Sequence, residues 1–128
     1  RPYHTIIPAL ATHPQSNNLI GPFGVMGGFM QPQGHLQVAC NLFLDKLDPQ
    51  SSLDKPRFCI QSDETVALEE GIPDKEIQVL AKLGHPVKKI TGFERAIFGR
   101  GQIILKDDSE TLCAGSDPRA DGCAMVLI

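Results

Sequence analysis

Gly24-Val25-Met26-Gly27-Gly28-Phe29-Met30-Gln31-Pro32 ends a run of strand-forming residues on paired glycines and passes directly into a helical spacing. Two consecutive glycines remove both Cβ atoms, so successive backbone N–H groups can face one point, and the helix that follows adds positive potential at its N-terminus. Such a turn suits an anion or a developing oxyanion, and it equally suits a tight strand-to-helix connection with no ligand. Gly21, Gly24 and Gly27 recur every third residue, which matches neither the dinucleotide nor the phosphate-loop pattern, and no Lys follows. Nucleotide binding is disfavoured.

Working outward, Thr5–Thr12 reads as a β-branched, apolar strand in which Pro8 marks an edge or a bulge. The turn His13–Asn18 returns the chain into a second strand, Leu19–Met26. Beyond the glycines, Leu36, Ala39, Cys40, Phe43 and Leu47 form a helical stripe, widened by Val38, Leu42 and Leu44, and Asp48-Pro49 ends it. A shorter helix is expected from Ile72-Pro73-Asp74 through Ile77, Leu80 and Ala81, stopping at Gly84. Strands are expected at Arg57–Gln61, Glu64–Glu69, Val87–Ile90, Gln102–Lys106 and Thr111–Ala114, with Asp107-Asp108 as a hairpin turn, and a last one at Ala124–Ile128. No repeat or linker divides residues 1–128, so the pattern predicts a single α+β unit with mainly antiparallel strands and two helices.

Composition narrows the function classes. The 128 residues carry 12 Lys+Arg against 15 Asp+Glu, a formal charge of −3, and are 41% hydrophobic. The cations are scattered, with Lys88-Lys89 the one adjacent pair, so no nucleic-acid surface is expected. The longest apolar run, Ala124–Ile128, is far short of the roughly 20 residues that span a bilayer. From Pro2 to Leu44 there is no Asp, Glu, Lys or Arg, a distribution expected of a segment covered on both sides. The chain opens on Arg1-Pro2-Tyr3 without an initiator Met or a signal-like apolar region, which is expected of a processed chain or of part of a longer one.

Other chemistry-bearing residues form weaker patterns. Cys40, Cys59, Cys113 and Cys123 lack a C-x-x-C spacing and are read as free, mostly buried thiols, although two disulfides are also compatible with their number. His4, His13, His35 and His85 are dispersed, so neither a metal nor another cofactor is expected. Ser51, Ser52, Ser62, Ser109 and Ser116 lie in polar turns without a nucleophile-elbow motif and are read as surface or cap residues. Glu69-Glu70 reads as a solvated pair, and Asp117 and Arg119 as an ion pair pinning the loop from Gly115 to Gly122.

Four motifs recur together in one family: His4-Thr5-Ile6-Ile7-Pro8, the glycine stretch extended to His35, Lys55-Pro56-Arg57-Phe58, and Ala114-Gly115-Ser116-Asp117-Pro118-Arg119. In this order and spacing they resemble the carboxyl-terminal part of the small subunit of the γ-glutamyltransferase (γ-glutamyltranspeptidase) family. The resemblance implies part of an αββα N-terminal-nucleophile hydrolase sandwich, built from two subunits that self-cleavage cuts from one precursor. Its nucleophile is the Thr that begins the small subunit, which would lie upstream of Arg1. Thr5 is internal and has no free α-amine to act as base.

Carried over by position, Gly27 and Gly28 fall on the family's oxyanion-hole glycines. His4 and Thr5 fall where the best-known members hold the donor α-carboxylate with two serines. Only Thr5 keeps a hydroxyl, a departure that also fits sister groups acting as acylases or amidases. The implied partners are the remainder of the precursor and a γ-glutamyl or acyl amide substrate. Many relatives are secreted or membrane-anchored. A second reading, from another class, is a catalytically silent binding or structural module that keeps the glycine turn.

Overall fold

A computed structural model of the chain describes residues 6–107 and 109–126. Two sheets flank one central helix. The first sheet is antiparallel, in the order β1 (Ala9–Thr12), β2 (Leu19–Met26), β6 (Arg100–Lys106), β7 (Leu112–Ser116). The second is β3 (Phe58–Ile60), β4 (Val66–Glu69), β5 (Val87–Ile90), with β3–β4 antiparallel and β4–β5 parallel. The parallel pair needs a crossover, which α3 (Asp74–Lys82) provides. β1 begins immediately after Pro8 and lies at the sheet edge, where a missing N–H costs no ladder bond.

The central helix α1 (Met30–Ala39) continues through a π-helical turn, Cys40–Leu44. Its buried residues are Met30, Gln31, Gly34 and Val38, followed by Leu42, whereas Leu36 and Leu44 are exposed. The buried stripe is therefore displaced from the expected one through Leu36 and Ala39. Four-residue spacing from Met30 is carried by Gly34, a residue without the side chain that a hydrophobicity pattern registers. Val38 and Leu42 join Val25, Leu53 and Ile103 beneath the first sheet, while Met30 joins Cys59, Ala67, Ile90 and Phe98 beneath the second. Each buried Val, Leu, Ile, Phe or Met among them contributes about 1.5–3 kcal/mol.

Asp48-Pro49 does end the first helical run, but it also opens another: α2 (Pro49–Asp54) has Asp48 as N-cap, its Oδ1 accepting from the N–H groups of Gln50 and Ser51 at 3.0 Å each. Two helices were expected, and this is a third α-helix. The expected strand at Ala124–Ile128 is absent over its described part, Ala124 to Val126, where Met125 and Val126 are 85% and 86% exposed.

The outer face of the first sheet is uncovered. Cross-strand register places Leu10 beside Pro22, Met26 beside Arg100, Ile104 beside Ala114 and Leu112 beside Lys106. Leu10, Met26, Ile104 and Leu112 are each at least 46% exposed. Of the charge-free stretch, α1 is covered on both sides, whereas the strands β1 and β2 are covered within this chain on one side only.

Candidate active site

β2 delivers the chain to the glycine turn, and the turn starts α1. Gly27 has φ 143° and Gly28 has φ 59°, both in the region that disfavours L side chains. A Cβ on Gly27 would lie 3.0 Å from Cα of Gly99, whereas one on Gly28 would meet open space. The two carbonyls are used locally, accepting the N–H groups of Met30 and Gln31 at 3.1 Å each. Among the described residues, neither Gly27 nor Gly28 has a partner for its own N–H. Two unused donors therefore sit at the positive end of a ten-residue helix. Gly28 is exposed and Gly27 half-buried, so an incoming oxygen has access.

Behind this turn lies a buried ionic cluster that binds two distant sequence motifs. Arg57 donates from Nη2 to Oδ2 of Asp117 at 2.7 Å and from Nη1 to the carbonyl of Phe98 at 3.1 Å. The same Asp117 oxygen accepts the N–H of Gly101 at 2.6 Å. Its other oxygen, Oδ1, accepts from the backbone and Nη1 of Arg119 at 2.9 and 3.0 Å. Glu69 completes the cluster by accepting from the Arg57 N–H at 2.8 Å, from Arg95 Nε at 2.9 Å and from Arg119 Nε at 2.7 Å. Arg57, Glu69 and Asp117 are each 1% exposed.

The opposite charges pair within the cluster, as buried charges must, and Arg57 Nε is the one buried guanidinium nitrogen there without a partner among the described residues. Burial pushes the Asp117 pKa up, but the Arg57 charge, the N–H groups of Arg119 and Gly101 and the Arg119 charge outweigh it and hold the carboxyl below its ordinary value. Arg119 is raised overall: burial lowers it, and the hydrogen bonds and charges of Glu69 and Asp117 more than compensate. The cluster grips Phe98 and Gly101, which bracket the Gly99 that backs Gly27. It acts as a platform under the turn.

The expected Asp117–Arg119 pair is present and does pin its loop. The expected solvated pair Glu69-Glu70 is corrected in half: Glu70 is exposed, whereas Glu69 is the centre of the buried cluster. Of the serines read as surface or cap residues, Ser52 and Ser116 are instead buried, at 0% and 8% exposure. All four cysteines are free thiols, but Cys113 and Cys123 are exposed rather than buried. His4 and Thr5 lie outside the described residues. Among the described residues, no three His, Cys, Asp or Glu side chains gather as a metal site. The cluster was foreshadowed by the two Pro-Arg motifs; what sequence spacing could not show is that they meet.

The fold is that of part of an N-terminal-nucleophile hydrolase sandwich. The sequence profile of the gamma-glutamyltranspeptidase family matches residues 1–127, and the chain belongs to that family. It is 28% identical over 130 residues to a glutathione hydrolase-like YwrD proenzyme of Bacillus subtilis, covering 98% of this chain and 24% of that protein. It is 30% identical over 129 residues to an oxamate amidohydrolase proenzyme of Klebsiella pneumoniae, covering 97% and 24%. The chain thus spans about a quarter of the length of these curated relatives. Among solved structures, cephalosporin acylase from Bacillus halodurans superposes with a TM-score of 0.85 at 44% identity, over 94% of this chain and 22% of that one. Gamma-glutamyltranspeptidase from Pseudomonas nitroreducens shares the fold with a TM-score of 0.81 at 20% identity, over 100% and 65%.

Proposed function

We propose that this chain is the carboxyl-terminal part of the small subunit of an amide-cleaving enzyme and supplies its oxyanion hole. The observation that carries this reading is the pair of unused N–H groups at Gly27 and Gly28, at the N-terminus of α1 and backed by the buried cluster. The hydroxyl of an N-terminal Thr, upstream of Arg1, attacks the amide carbon while its own α-amine takes the proton. The carbonyl oxygen becomes an oxyanion held by the two glycine N–H groups. Collapse expels the amine, which takes that proton back from the α-ammonium, and leaves an ester, which water or an acceptor amine then resolves. His4 and Thr5 hold the donor's carboxylate.

The uncovered sheet face supports the same reading. Leu10, Met26, Ile104 and Leu112 form an apolar surface that the remainder of the precursor covers. Within the amide-cleaving class, hydrolysis of an acyl amide is favoured over γ-glutamyl transfer, because the 44% identical structure is named an acylase and because His4 replaces a serine.

Turnover of glutaryl and γ-glutamyl p-nitroanilides by the full-length protein tests the assignment. Glutaryl turnover is expected to exceed γ-glutamyl turnover. Gly28→Pro deletes one donor and conflicts with φ 59°, so the rate should fall by about 10²–10³. Gly28→Ala keeps the N–H and puts its Cβ in open space, so against the modest strain of φ 59° it should lose far less. Equal rates for wild type and Gly28→Pro would sink the oxyanion role.

A further inference from the structure

Two glutamines fasten the central helix to the second sheet. β3 lies at a sheet edge, and the backbone groups of Phe58 and Ile60 that its pairing with β4 leaves over are turned toward α1. Gln33 donates from Nε2 to the Ile60 carbonyl at 3.1 Å and accepts the Ile60 N–H on Oε1 at 2.7 Å. Gln37 repeats this at Phe58, at 3.0 and 2.9 Å, and also donates to the Gln33 carbonyl at 3.0 Å. Four residues of helix rise about 6 Å and two residues of strand about 6.6–6.8 Å, so side chains at i and i+4 meet alternate strand residues in step. The two amides stand where a further strand would pair with β3.

Apolar packing does not choose this roll of the helix. The line that α1 buries runs through Gly34, whereas Leu36 stays 61% exposed. Burial is non-directional, and a roll that tucked Leu36 inward would gain apolar area. The amide pairs are directional and form at one roll only. Gly34, where an added Cβ would lie 2.7 Å from Val25 Cγ1, sets the depth of the helix against the first sheet. The glutamines set its angle against the second. The same helix carries the glycine turn, because Met30 and Gln31 donate to the carbonyls of Gly27 and Gly28.

We infer that Gln33 and Gln37 are positioning residues, which fix the roll of α1 on β3 and thereby aim the Gly27 and Gly28 N–H groups at the developing oxyanion. This deepens the proposed function and rests on it. Both residues act through the helix and not on the substrate. Donors that are tilted away lose most in the transition state, so the loss belongs in kcat and not in KM.

The test uses glutaryl p-nitroanilide turnover by the full-length protein. Gln37→Met keeps the volume and removes every amide contact; it should lower kcat about tenfold and change KM less than about twofold, with a loss that is flat in pH. Gln37→Glu keeps the acceptor for the Phe58 N–H but turns a carboxylate toward two carbonyls. It should lose about as much near neutral pH, and its rate relative to wild type should climb between about pH 7.5 and about pH 5, as the introduced carboxyl gains a proton to donate. Gln33→Glu, at the exposed end of the pair, should show a smaller fall and the same acid recovery. Hydrogen exchange in Gln37→Met should quicken at Phe58 and also at Met30 and Gln31, whose N–H groups report the order of the turn.

An unchanged kcat in Gln37→Met, a loss carried by KM, or a Gln37→Glu deficit that stays flat into acid would each overturn the positioning role. If the wild type cleaves no anilide, the amide-cleaving reading fails on its own. Quickened exchange at Met30 and Gln31 would then still uphold the link between the glutamines and the turn, and unaltered exchange would overturn it.

Discussion

Asp117→Asn is the sharpest probe of the platform under the glycine turn. Each carboxylate oxygen of Asp117 accepts two donors: Oδ2 takes Arg57 Nη2 and Gly101 N, and Oδ1 takes the backbone N and Nη1 of Arg119. An asparagine has one oxygen and one NH₂, so whichever way it is oriented, two donors face a donor. At about 1–3 kcal/mol for each buried unsatisfied donor, the loss is about 2–6 kcal/mol. The independent figure for breaking a buried ion pair, about 3–5 kcal/mol, falls in the same range. With a urea slope near ~2 kcal/mol/M, the unfolding midpoint should drop by about 2 M.

The acid limb gives a second reading of the same substitution. Asp117 titrates below its ordinary value of about 3.9 in the folded protein, so the stability it adds is present above that value and is lost as pH falls through the depressed one. Asp48, Asp63 and Asp107 are also lowered, by local hydrogen bonds at the surface, and form a background common to both proteins. Urea midpoints measured between pH 6 and pH 2 should therefore converge at the acid end, wild type falling more steeply than Asp117→Asn. Midpoints within ~0.5 M at neutral pH, together with parallel acid limbs, would refute the electrostatic reasoning.

Other expectations follow from packing. Gly34→Ala sets a Cβ 2.7 Å from Val25 Cγ1 between α1 and β2 and should cost about 1–3 kcal/mol in urea unfolding; an unchanged midpoint would mean the helix can back away freely. Burial raises the Cys59 thiol pKa, so iodoacetamide should leave Cys59 unmodified in native protein and label it only after denaturation, as peptide mass mapping would show. The 128-residue chain produced alone should bind a hydrophobic dye and elute as aggregates, and Ile104→Lys on the open sheet face should reduce both; a monodisperse, cooperatively melting monomer would contradict the covering role assigned to the rest of the precursor.

Much of the fold was legible because short-range chemistry dictates it. Period-two patterns and turn residues located β2, β5 and most of β6, and Pro73 and Gly84 bracketed α3. The misread parts are those decided by tertiary context. Gly34 is silent in any hydrophobic pattern yet marks the buried face of α1, and Asp48-Pro49 signals a stop and a start at once. Glu69 resembles any strand-end carboxylate until Arg95 and Arg119, 26 and 50 residues away, close on it. The glycine turn was visible as a candidate from the absence of side chains alone. That its donors have no partner among the described residues shows only in three dimensions.

The position of β6 bears on how the molecule is made. It is the strand that closes β2, pairing Phe23–Met26 with Arg100–Ile103, so the β1–β2 hairpin leaves the ribosome about 70 residues before its neighbour. At ~5–20 residues per second, that is of order 4–15 s with an uncharged, apolar edge unprotected. The whole second sheet is synthesised in this interval. The vulnerable step in producing this protein is therefore the wait of β2 for β6, and slower translation or a missing holdase should lower its yield before any change in the finished fold can matter.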